Sequence, residues 1–421
     1  MEKFVIEGGK KLTGTVTVSG AKNAALPILA ATLLSDEPSV VKNVPNLRDI
    51  NTMIKILRNL GVKVSAGDGI IRVEPKGYAQ CVAPYKLVST MRASICVMGP
   101  LLAKKGFAQV SLPGGCVIGP RPIDLHIKGI KALGAHVTIE GGYVHAKAKR
   151  LSGTTIYLGG SFGSSVLATA NVMMAATLAR GITIIENASC EPEIVDLADM
   201  LVKMGAKIKG QKTHIIEIEG VKKLSGAEHT IIPDRIEAGT FMVAAAMTNG
   251  DIEIRNAKPE HLGAVIDKLT EAGAKIRIQD GKIKVLGRNR LKPINVTTHP
   301  FPGFPTDMQA QLMAAMCVTE GISVITEKVY PERFIHISEL NRMGAQVMLE
   351  GSSAIVRGIP RLSGAPVMAS DLRASAALVL AGLVARGRTD VLRIYHIDRG
   401  YEKIEEKFRS LGAEIRREKE E

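Results

Sequence analysis

The chain of 421 residues is 46% hydrophobic and 23% charged, which indicates a globular protein of two or three domains rather than a disordered one. Its 55 Lys and Arg against 41 Asp and Glu give a net charge of +14, while aromatic residues make up only 4% and Trp is absent. This composition favours a small anionic substrate over nucleic acid, because single strands are usually bound on stacked aromatic rings.

The sequence pattern contains no signal for export, membrane insertion or metal binding. Residues 1–7 carry only a short apolar run, so we expect no signal peptide. No apolar stretch reaches the roughly 18 residues of a membrane span. The five cysteines are scattered without a Cys-x-x-Cys pair, which is typical of reduced thiols and argues against zinc. We expect a cytoplasmic monomer that needs no metal or cofactor.

One phrase, Leu-x-x-x-Gly-Ala or a close variant of it, occurs six times along the chain. A period held over the whole length indicates one supersecondary unit used six times. The six glycines lie 68 to 73 residues apart, at Gly61, Gly134, Gly205, Gly273, Gly344 and Gly412.

Each copy predicts the same elements in the same order. First comes an Ala-rich helix that is apolar nearly all round and therefore buried, as over 170–181, 241–250 and 374–387, each closed by a glycine. A strand follows, as over 182–187, then a polar loop, an amphipathic helix, as over 194–204, and a strand pair. The predicted unit is βαβαββ, and the fold class is α/β.

The sixth copy stops after Gly412-Ala-Glu-Ile-Arg416, without its last strand. A segment that resembles the missing strand, Phe4-Val-Ile-Glu-Gly8, lies at the start of the chain. We therefore expect the first residues to complete the sixth unit and the N-terminus to pack in the C-terminal half. Two domains of three repeats follow from this, one of residues 22–232 and one of residues 1–21 with 233–421.

Polar residues at the start of the buried helices vary from copy to copy. A helix N-terminus presents free N–H groups and about half a positive charge, so several of them facing one cleft would bind an anion. Ordinary capping is the alternative for Ser and Asp, above all for Asp307 and Asp371. Capping does not explain Lys or Arg, because a cation opposes the helix dipole unless an anion sits between. The residues at these positions are Lys22, Asn23, Arg92, Ser164, Ser165, Asp234, Arg235, Asp307, Asp371 and Arg373.

The second copy carries a long loop, residues 112–126, where the other copies have a short one. Three glycines and three prolines surround Cys116, and no helix or strand pattern includes it. Arg121 could stabilise its thiolate, so Cys116 is a candidate reactive residue, with a redox sensor or an inert exposed thiol as the alternatives. We interpret the remaining cysteines as small buried hydrophobic residues: Cys81, Cys96, Cys190 and Cys317.

Eight short motifs are spread from one end of the chain to the other: Ser19-Gly-Ala-Lys-Asn23, Thr90-Met-Arg92, Pro113-Gly-Gly-Cys116, Arg121-Pro-Ile-Asp-Leu-His126, Pro233-Asp-Arg-Ile-Glu237, Pro305-Thr-Asp307, Asp371-Leu-Arg373 and Asp398-Arg399-Gly-Tyr-Glu402. Through them the sequence resembles the UDP-N-acetylglucosamine 1-carboxyvinyltransferase family of enolpyruvyl transferases. The resemblance implies two inside-out α/β domains, each of three βαβαββ repeats, with the active site in the cleft between them. It also implies transfer of the enolpyruvyl group of phosphoenolpyruvate to the 3′-hydroxyl of UDP-N-acetylglucosamine with loss of phosphate. That reaction is the first committed step of peptidoglycan synthesis, on which cell shape and division depend.

The same resemblance implies roles in the chemistry. Lys22, Arg121 and Arg399 would hold phosphoenolpyruvate. Cys116 would be the general acid that protonates its methylene carbon, and also the target of the epoxide antibiotic fosfomycin. Asp307 would take the proton from the 3′-hydroxyl.

Further residues would bind the sugar nucleotide by the same resemblance. Asn23 would orient the sugar, while Arg333 and Arg373 would add positive potential around the tetrahedral intermediate. The UDP-sugar site would be lined by Arg92, Arg121, Pro122, Ile123, Asp124, Leu125, Gly163, Ser164, Ser165, Val166, Asp307 and Val329.

Two segments depart from the family pattern. Residues 163–169 read Gly-Ser-Ser-Val-Leu-Ala-Thr without the usual Lys, so the diphosphate contact would fall to backbone N–H groups, Ser164 or Arg121. Residues 330–333 read Tyr-Pro-Glu-Arg where the family has Phe-Glu-Asn-Arg.

Two other functions stay open. Enolpyruvylshikimate-phosphate synthase resembles this fold and also uses phosphoenolpyruvate, but it lacks the Pro-Gly-Gly-Cys loop. A basic repeat protein that binds RNA is the alternative from another class, since RNA 3′-phosphate cyclases use a related unit. Those enzymes attack with a histidine, and only His126 lies near a candidate site here; RNA binding with a steep salt dependence would favour that class.

Overall fold

The computed structural model describes residues 1–112, 123–160, 163–287 and 290–420. Cys116, Arg121 and Pro122 therefore lie outside the described residues. The described strands are β1 Glu2–Glu7, β2 Thr13–Thr17, β3 Ser39–Lys42, β4 Lys63–Gly67, β5 Ile70–Glu74, β6 Val82–Ala83, β7 Phe107–Ser111, β8 His136–Glu140, β9 Tyr143–Lys147, β10 Thr155–Tyr157, β11 Gly159–Gly160, β12 Gly163–Ser164, β13 Ile182–Glu186, β14 Lys207–Lys209, β15 Ile215–Glu219, β16 Glu228–Thr230, β17 Asp251–Arg255, β18 Lys275–Gln279, β19 Lys282–Leu286, β20 Val296–Thr297, β21 Gly321–Thr326, β22 Gln346–Glu350, β23 Ser353–Gly358, β24 Pro366–Met368, β25 Arg388–Leu392 and β26 Glu414–Lys419.

The helices alternate between buried and half-exposed ones. Short 3-10 segments at Arg92–Val97, Thr306–Met308 and Ile394–Arg399 precede or replace helical turns. Within the described residues, no helix is both long enough and apolar enough to cross a membrane. The α-helices are α1 Lys22–Ala31, α2 Arg48–Asn59, α3 Tyr85–Val88, α4 Met98–Lys105, α5 Asp124–Ala132, α6 Val166–Ala176, α7 Pro192–Lys203, α8 Arg235–Met247, α9 Gly263–Glu271, α10 Gln309–Cys317, α11 His336–Arg342, α12 Leu372–Val384 and α13 Ile404–Ser410.

The described strands form six four-stranded sheets of one design, together with the short β11–β12 hairpin. In the sheet of order β6-β7-β9-β8, β6 runs parallel to β7 because the buried helix α4 lies between them in the chain. Strand β9 then pairs antiparallel with both β7 and β8. The same order of elements recurs in the other sheets, so the predicted α/β fold of βαβαββ repeats is confirmed.

The glycine phrase that marks each repeat is the end of its half-exposed helix. The six glycines have φ between +90° and +101°, a left-handed conformation that glycine adopts without steric cost. The N–H of the residue after each glycine donates to the carbonyl five residues earlier, at 2.9 to 3.3 Å. The carbonyl of Leu201 and the N–H of Ala206 form one such pair. The phrase therefore encodes a Schellman cap, in which the residue four positions before the glycine carries the accepting carbonyl. That residue is Leu in four copies, Ile130 in the second and Phe408 in the sixth.

The buried helices end differently from our expectation. Helix α6 ends at Ala176, and Gly181 lies well beyond it. The hydroxyl of Thr177 donates instead to the carbonyl of Met174 at 2.7 Å. Equivalent threonines close three more of these helices: Thr32 on Leu29, Thr248 on Ala244 and Thr319 on Ala315. A hydroxyl donor suits these ends because they are buried away from water and their last carbonyls need a partner.

The N-terminal strands serve two repeats rather than one. Strand β1 lies between β25 and β26, with Phe4 opposite Val391 on one side and Arg417 on the other, and so closes the sixth sheet. Strand β2 instead runs parallel to β17 and opens the fourth repeat. In the same way β16 runs parallel to β3 and supplies the first strand of the first repeat.

The chain divides into two compact units, which we call the C-terminal unit (residues 1–19 with the described residues after 232) and the N-terminal unit (the described residues between 20 and 232). Each has its own hydrophobic core. In the C-terminal unit the buried helices α8, α10 and α12 pack on one another, with sheets around them. In the N-terminal unit α1 and α4 both pack on α6. Helices therefore form the centre of each unit, and sheets form its outside.

Candidate active site

In the C-terminal unit, the carboxylate of Asp307 lies between two arginines. Its Oδ1 accepts a hydrogen bond from Nη1 of Arg333 at 2.8 Å, and its Oδ2 accepts one from Nη2 of Arg373 at 3.0 Å. The two arginine side chains are 6% and 2% exposed, whereas that of Asp307 is 26% exposed. Sequence analysis left open whether Asp307 is a helix cap. No capping bond is made by it, so its partners are the two guanidinium groups.

This arrangement fixes the charge of Asp307. Burial opposes ionisation, but the positive charges of Arg373 and Arg333 and their hydrogen bonds outweigh it and hold the pKa of Asp307 well below its usual range. The carboxylate is therefore ionised at any physiological pH.

The other two acidic helix-start residues of this unit, Asp371 and Asp234, are ordinary helix caps. Asp371 Oδ1 accepts from the N–H groups of Arg373 and Ala374 at 2.7 and 3.1 Å. Asp234 Oδ1 accepts from the first N–H groups of α8 in the same way, at 2.8 and 3.0 Å. These bonds orient α12, whose second residue is Arg373, so the cap of Asp371 also sets the position of the guanidinium that holds Asp307.

Sequence analysis missed a buried carboxylate, Glu327, that shapes the neighbouring loop. It is fully buried at the end of β21. Its Oε1 accepts from the hydroxyl of Thr298 at 2.6 Å and from the N–H groups of Val329 and Tyr330 at 2.8 and 2.9 Å. Its Oε2 accepts from Thr306 at 2.9 Å, whose hydroxyl also accepts from Arg333 Nη1 at 3.0 Å. Glu327 therefore links the loop that carries Val329 and Arg333 to the turn that carries Asp307.

Tyr401, to which sequence analysis gave no role, packs against Arg373. The guanidinium lies 5.3 Å from the centre of the Tyr401 ring. The hydroxyl of Tyr401 contacts that of Thr240 at 2.9 Å, and Nε2 of Gln311 donates to it at 3.3 Å. The same Nε2 donates to the backbone carbonyl of Asp307 at 2.8 Å. Arg399 ends the 3-10 turn just before Tyr401, and that turn is held by Asp398, which accepts from Arg417 at 2.7 and 3.1 Å.

In the N-terminal unit, Lys22 is the first residue of the buried helix α1. Its Nζ donates to Oδ2 of Asp49 at 3.0 Å, and the two side chains are only 9% and 5% exposed. No side chain caps this helix, and a lysine there opposes the helix dipole. Asp49, in the first turn of α2, supplies a compensating negative charge that sequence analysis did not identify. Asn23, the next residue, is half-buried.

Three more segments of this unit carry residues expected at the sugar-nucleotide site. Arg92 opens a 3-10 turn and is half-buried. Ile123, buried, and Asp124, exposed, lead into α5. Leu125 follows in the first turn of α5, and a Cβ on Gly160 would lie 3.4 Å from its side chain, so this helix start abuts the β11–β12 hairpin.

The segment that departs from the family pattern forms the end of that hairpin and the start of α6. Gly163 has a φ of +84° with open space around it. The hydroxyl of Ser164 accepts from that of Ser189 at 3.2 Å. Ser165 caps α6 by accepting from the N–H of Ala168 at 3.3 Å, and Val166 is the first helical residue. Backbone N–H groups and hydroxyls thus converge at this helix start.

The structure brings Asp307, Arg333 and Arg373 into direct contact in one unit, and Lys22 into contact with Asp49 in the other. Cys116, Arg121 and Pro122 were also predicted, and they lie outside the described residues. Among the residues that the structure does describe, no three His, Cys, Asp or Glu side chains are arranged to hold a metal ion. The described groups at these places are fixed cations, the ionised carboxylate of Asp307 and the start of α6.

Known proteins resemble this chain over its whole length. The chain is 56% identical over 421 residues to the UDP-N-acetylglucosamine 1-carboxyvinyltransferase of Geobacter metallireducens, with 100% of each chain covered. It is 57% identical over 417 residues to the protein of that name from Methylacidiphilum infernorum, with 99% of each covered. The enolpyruvyl transferase NikO of Streptomyces tendae superposes with a TM-score of 0.88 at 24% identity, over 99% of this chain and 98% of that one.

These similarities identify both the fold class and the family of this chain. The fold is that of the enolpyruvyl transferases. The family described as EPSP synthase (3-phosphoshikimate 1-carboxyvinyltransferase) matches residues 6–408. The chain belongs to this family, within which its relatives above are named UDP-N-acetylglucosamine 1-carboxyvinyltransferase, and it is an enzyme. The resemblance stated from the motifs is thereby confirmed.

Proposed function

We propose that this enzyme transfers the enolpyruvyl group of phosphoenolpyruvate to the 3′-hydroxyl of UDP-N-acetylglucosamine. The hydroxyl oxygen bonds to C2 of the donor while C3 gains a proton, giving a tetrahedral intermediate. Loss of phosphate from C2 and of a proton from C3 then restores the double bond. The observation that carries the proposal is the pair of arginines on Asp307, in a chain more than half identical to relatives of that name.

Asp307 is the proton acceptor in this proposal. The two arginines hold its carboxylate ionised and ready to accept, although a pKa so far below the usual range makes it a weak base at rest. A triply anionic donor would attract the same guanidinium groups away from the carboxylate. The pKa of Asp307 would then rise towards its ordinary value as the substrates bind.

Cations and a thiol complete the proposed chemistry. Lys22, Arg121 and Arg399 would hold phosphoenolpyruvate, and each cation at ~4 Å contributes up to ~4 kcal/mol at an effective dielectric constant of ~20. Cys116 would deliver the proton to C3 as general acid. In the N-terminal unit, the start of α6 at Ser164 to Val166 supplies the backbone N–H groups that suit a diphosphate.

The sugar-nucleotide substrate places the enzyme at the first committed step of peptidoglycan synthesis. A cytoplasmic location is part of the proposal, because phosphoenolpyruvate and nucleotide sugars are cytoplasmic metabolites. A monomeric state is also part of it, and sedimentation of the purified protein measures that directly.

Phosphate release tests the function. We expect release from phosphoenolpyruvate only when UDP-N-acetylglucosamine is present. Release with shikimate 3-phosphate in its place would reject the sugar-nucleotide assignment and favour the other activity of the family. The control is the protein with Asp307→Asn, which should bind both substrates and release almost no phosphate.

A further inference from the structure

A fully buried amide, Asn171, lies on α6 one to two turns beyond the expected diphosphate site. Its Oδ1 accepts from the N–H of Gly99 at 2.7 Å, and its Nδ2 donates to the carbonyl of Ile95 at 2.9 Å. Nδ2 also lies 3.0 Å from Nδ1 of His126. One side chain thus connects the 3-10 turn that Arg92 opens, the start of α4, the first turn of α5 and the helix α6.

These contacts determine which nitrogen of His126 carries the proton. A backbone N–H can only donate and a backbone carbonyl can only accept, so Gly99 and Ile95 fix which end of the amide is oxygen and which is nitrogen. The remaining proton of Nδ2 therefore points at Nδ1 of His126, which must accept it. A neutral imidazole that accepts at Nδ1 carries its proton on Nε2.

The surroundings keep the ring neutral. Burial, together with the positive charge of Arg92, lowers the pKa of His126 to about 3. The groups around it are Arg92 from the 3-10 turn, Asn171 from α6, and Asp124 and Lys128 on its own helix. On the strand β8, which packs against α5, His136 and Glu140 are exposed. His126 is therefore a hydrogen-bond donor of fixed direction that adds no charge beside Arg92.

The side chain of Asn171 is packed tightly enough to fix the orientation of the His126 ring. A Cβ on Gly99 would lie 2.3 Å from the carbonyl oxygen of Asn171 and 2.7 Å from its Oδ1, so only glycine permits this approach. The imidazole turns its Nδ1 towards Asn171, so Nε2 lies on the side of the ring away from that amide. His126 stands in the first turn of α5 directly after Asp124 and Leu125, which are residues expected at the sugar nucleotide.

We propose that His126 is a further substrate-binding residue, whose Nε2–H donates to an oxygen acceptor of the nucleotide-sugar substrate, and that Asn171 is the positioning residue that fixes its tautomer. This inference rests on the proposed function. It gives a role to a buried polar network that joins the Arg92 turn, the start of α5 and helix α6, three segments expected to carry that substrate.

Two substitutions of His126 distinguish loss of the Nε2–H donor from loss of the imidazole ring. His126→Gln keeps an N–H near the position of Nε2, whereas His126→Asn has its amide near Nδ1 and lacks that donor. We expect His126→Asn to raise the KM for UDP-N-acetylglucosamine about tenfold with a much smaller change in kcat, and His126→Gln to stay within about threefold of the wild type. Equal KM values for both variants, with folded proteins, would overturn the proposal.

Asn171→Asp tests the tautomer through pH. A carboxylate accepts only, so His126 must protonate Nδ1 to pair with it. At low pH the imidazolium keeps its Nε2–H, and at higher pH the neutral ring loses it. We expect the KM for UDP-N-acetylglucosamine of this variant to rise with pH, while that of the wild type shows no corresponding rise. A KM that changes by the same factor at every pH would reduce Asn171 to a packing residue and overturn its positioning role.

A measurement without turnover separates this inference from the proposed function. Nitrogen NMR of the resting wild type should show His126 protonated at Nε2 and not at Nδ1, and the reverse result would refute the tautomer. If the wild type releases no phosphate with UDP-N-acetylglucosamine, the proposed function fails. If it does and His126→Asn behaves as the wild type, only the present inference fails.

Discussion

Arg373 reaches across 66 residues of sequence to donate from Nη2 to Oδ2 of Asp307, while its own backbone N–H is bound by the cap Asp371. The guanidinium is 2% exposed, so its position is set by α12 and by the ring of Tyr401 rather than by solvent. The carboxylate of Asp307 is thus held by a cation whose backbone is fixed at the start of a buried helix.

Replacing Asp307 by Ala should abolish turnover. We expect kcat to fall by two orders of magnitude or more, because loss of a general base typically costs ~10²–10⁴-fold. Steady-state phosphate release measures this. The far-UV circular dichroism spectrum should be unchanged, since the carboxylate side chain is partly exposed and caps no helix. Near-normal kcat would remove Asp307 from the mechanism.

Acid should selectively remove the stability that Asp307 contributes. Its pKa is lower in the folded protein than in the unfolded chain, so its contribution is present above the unfolded value of about 3.9 and is lost as the pH falls towards the folded value. We expect the difference in unfolding free energy between the wild type and Asp307→Asn to be constant from pH 8 to about 5 and to narrow below about 4. Urea titrations at several pH values measure it, and a gap that widens in acid would contradict the assignment.

Lys22 should matter for binding the three-carbon donor. We expect Lys22→Ala to raise the KM for phosphoenolpyruvate about a hundredfold, because a cation that is nearly buried beside its ligand contributes up to ~4 kcal/mol. Lys55→Ala, which removes an exposed lysine from the neighbouring helix α2, is the matched control and should leave the KM unchanged. Equal effects of the two substitutions would show that only net charge is involved.

Fosfomycin should label one thiol. An epoxide carbon bonds to the sulfur of Cys116 and the ring oxygen takes up a proton, so peptide mass spectrometry after incubation should find the adduct on that peptide alone. Burial raises the pKa of Cys96 and Cys317 to about 12, and it also raises the pKa of Cys81 and Cys190, so all four disfavour the reactive thiolate. An unmodified Cys116 peptide, or equal labelling of Cys96, would count against the assignment.

The repeat could be predicted from the sequence because the residues that encode it are close together in the chain. A Schellman cap needs glycine at one position and an accepting carbonyl five residues before the next N–H, and all of this lies within six consecutive residues. The threonine ends of the buried helices are equally local, and they could have been found by aligning the copies on Thr177, Thr248 and Thr319 rather than on the glycines.

The residues that support the site could not be predicted in this way, because their partners are far apart in the sequence. Glu327 gathers partners from Thr298 to Tyr330, and Asn171 contacts residues 45 to 76 positions away. Only the fold brings such groups together. Asp307 and Asp371 look alike in sequence, because each precedes a buried helix. In the structure Asp371 caps its helix, as one of the two interpretations proposed, and Asp307 does not. What separates them is the approach of Arg333 from another element.

The place of β1 between β25 and β26 has a consequence for biosynthesis. Glu2 pairs with Lys419, so β1 cannot complete its sheet until β26 has been translated. The N-terminal unit needs nothing translated after Ile232. During synthesis it can fold while the other unit is still incomplete, and a ribosome stalled after residue 400 would hold one finished unit and one open sheet.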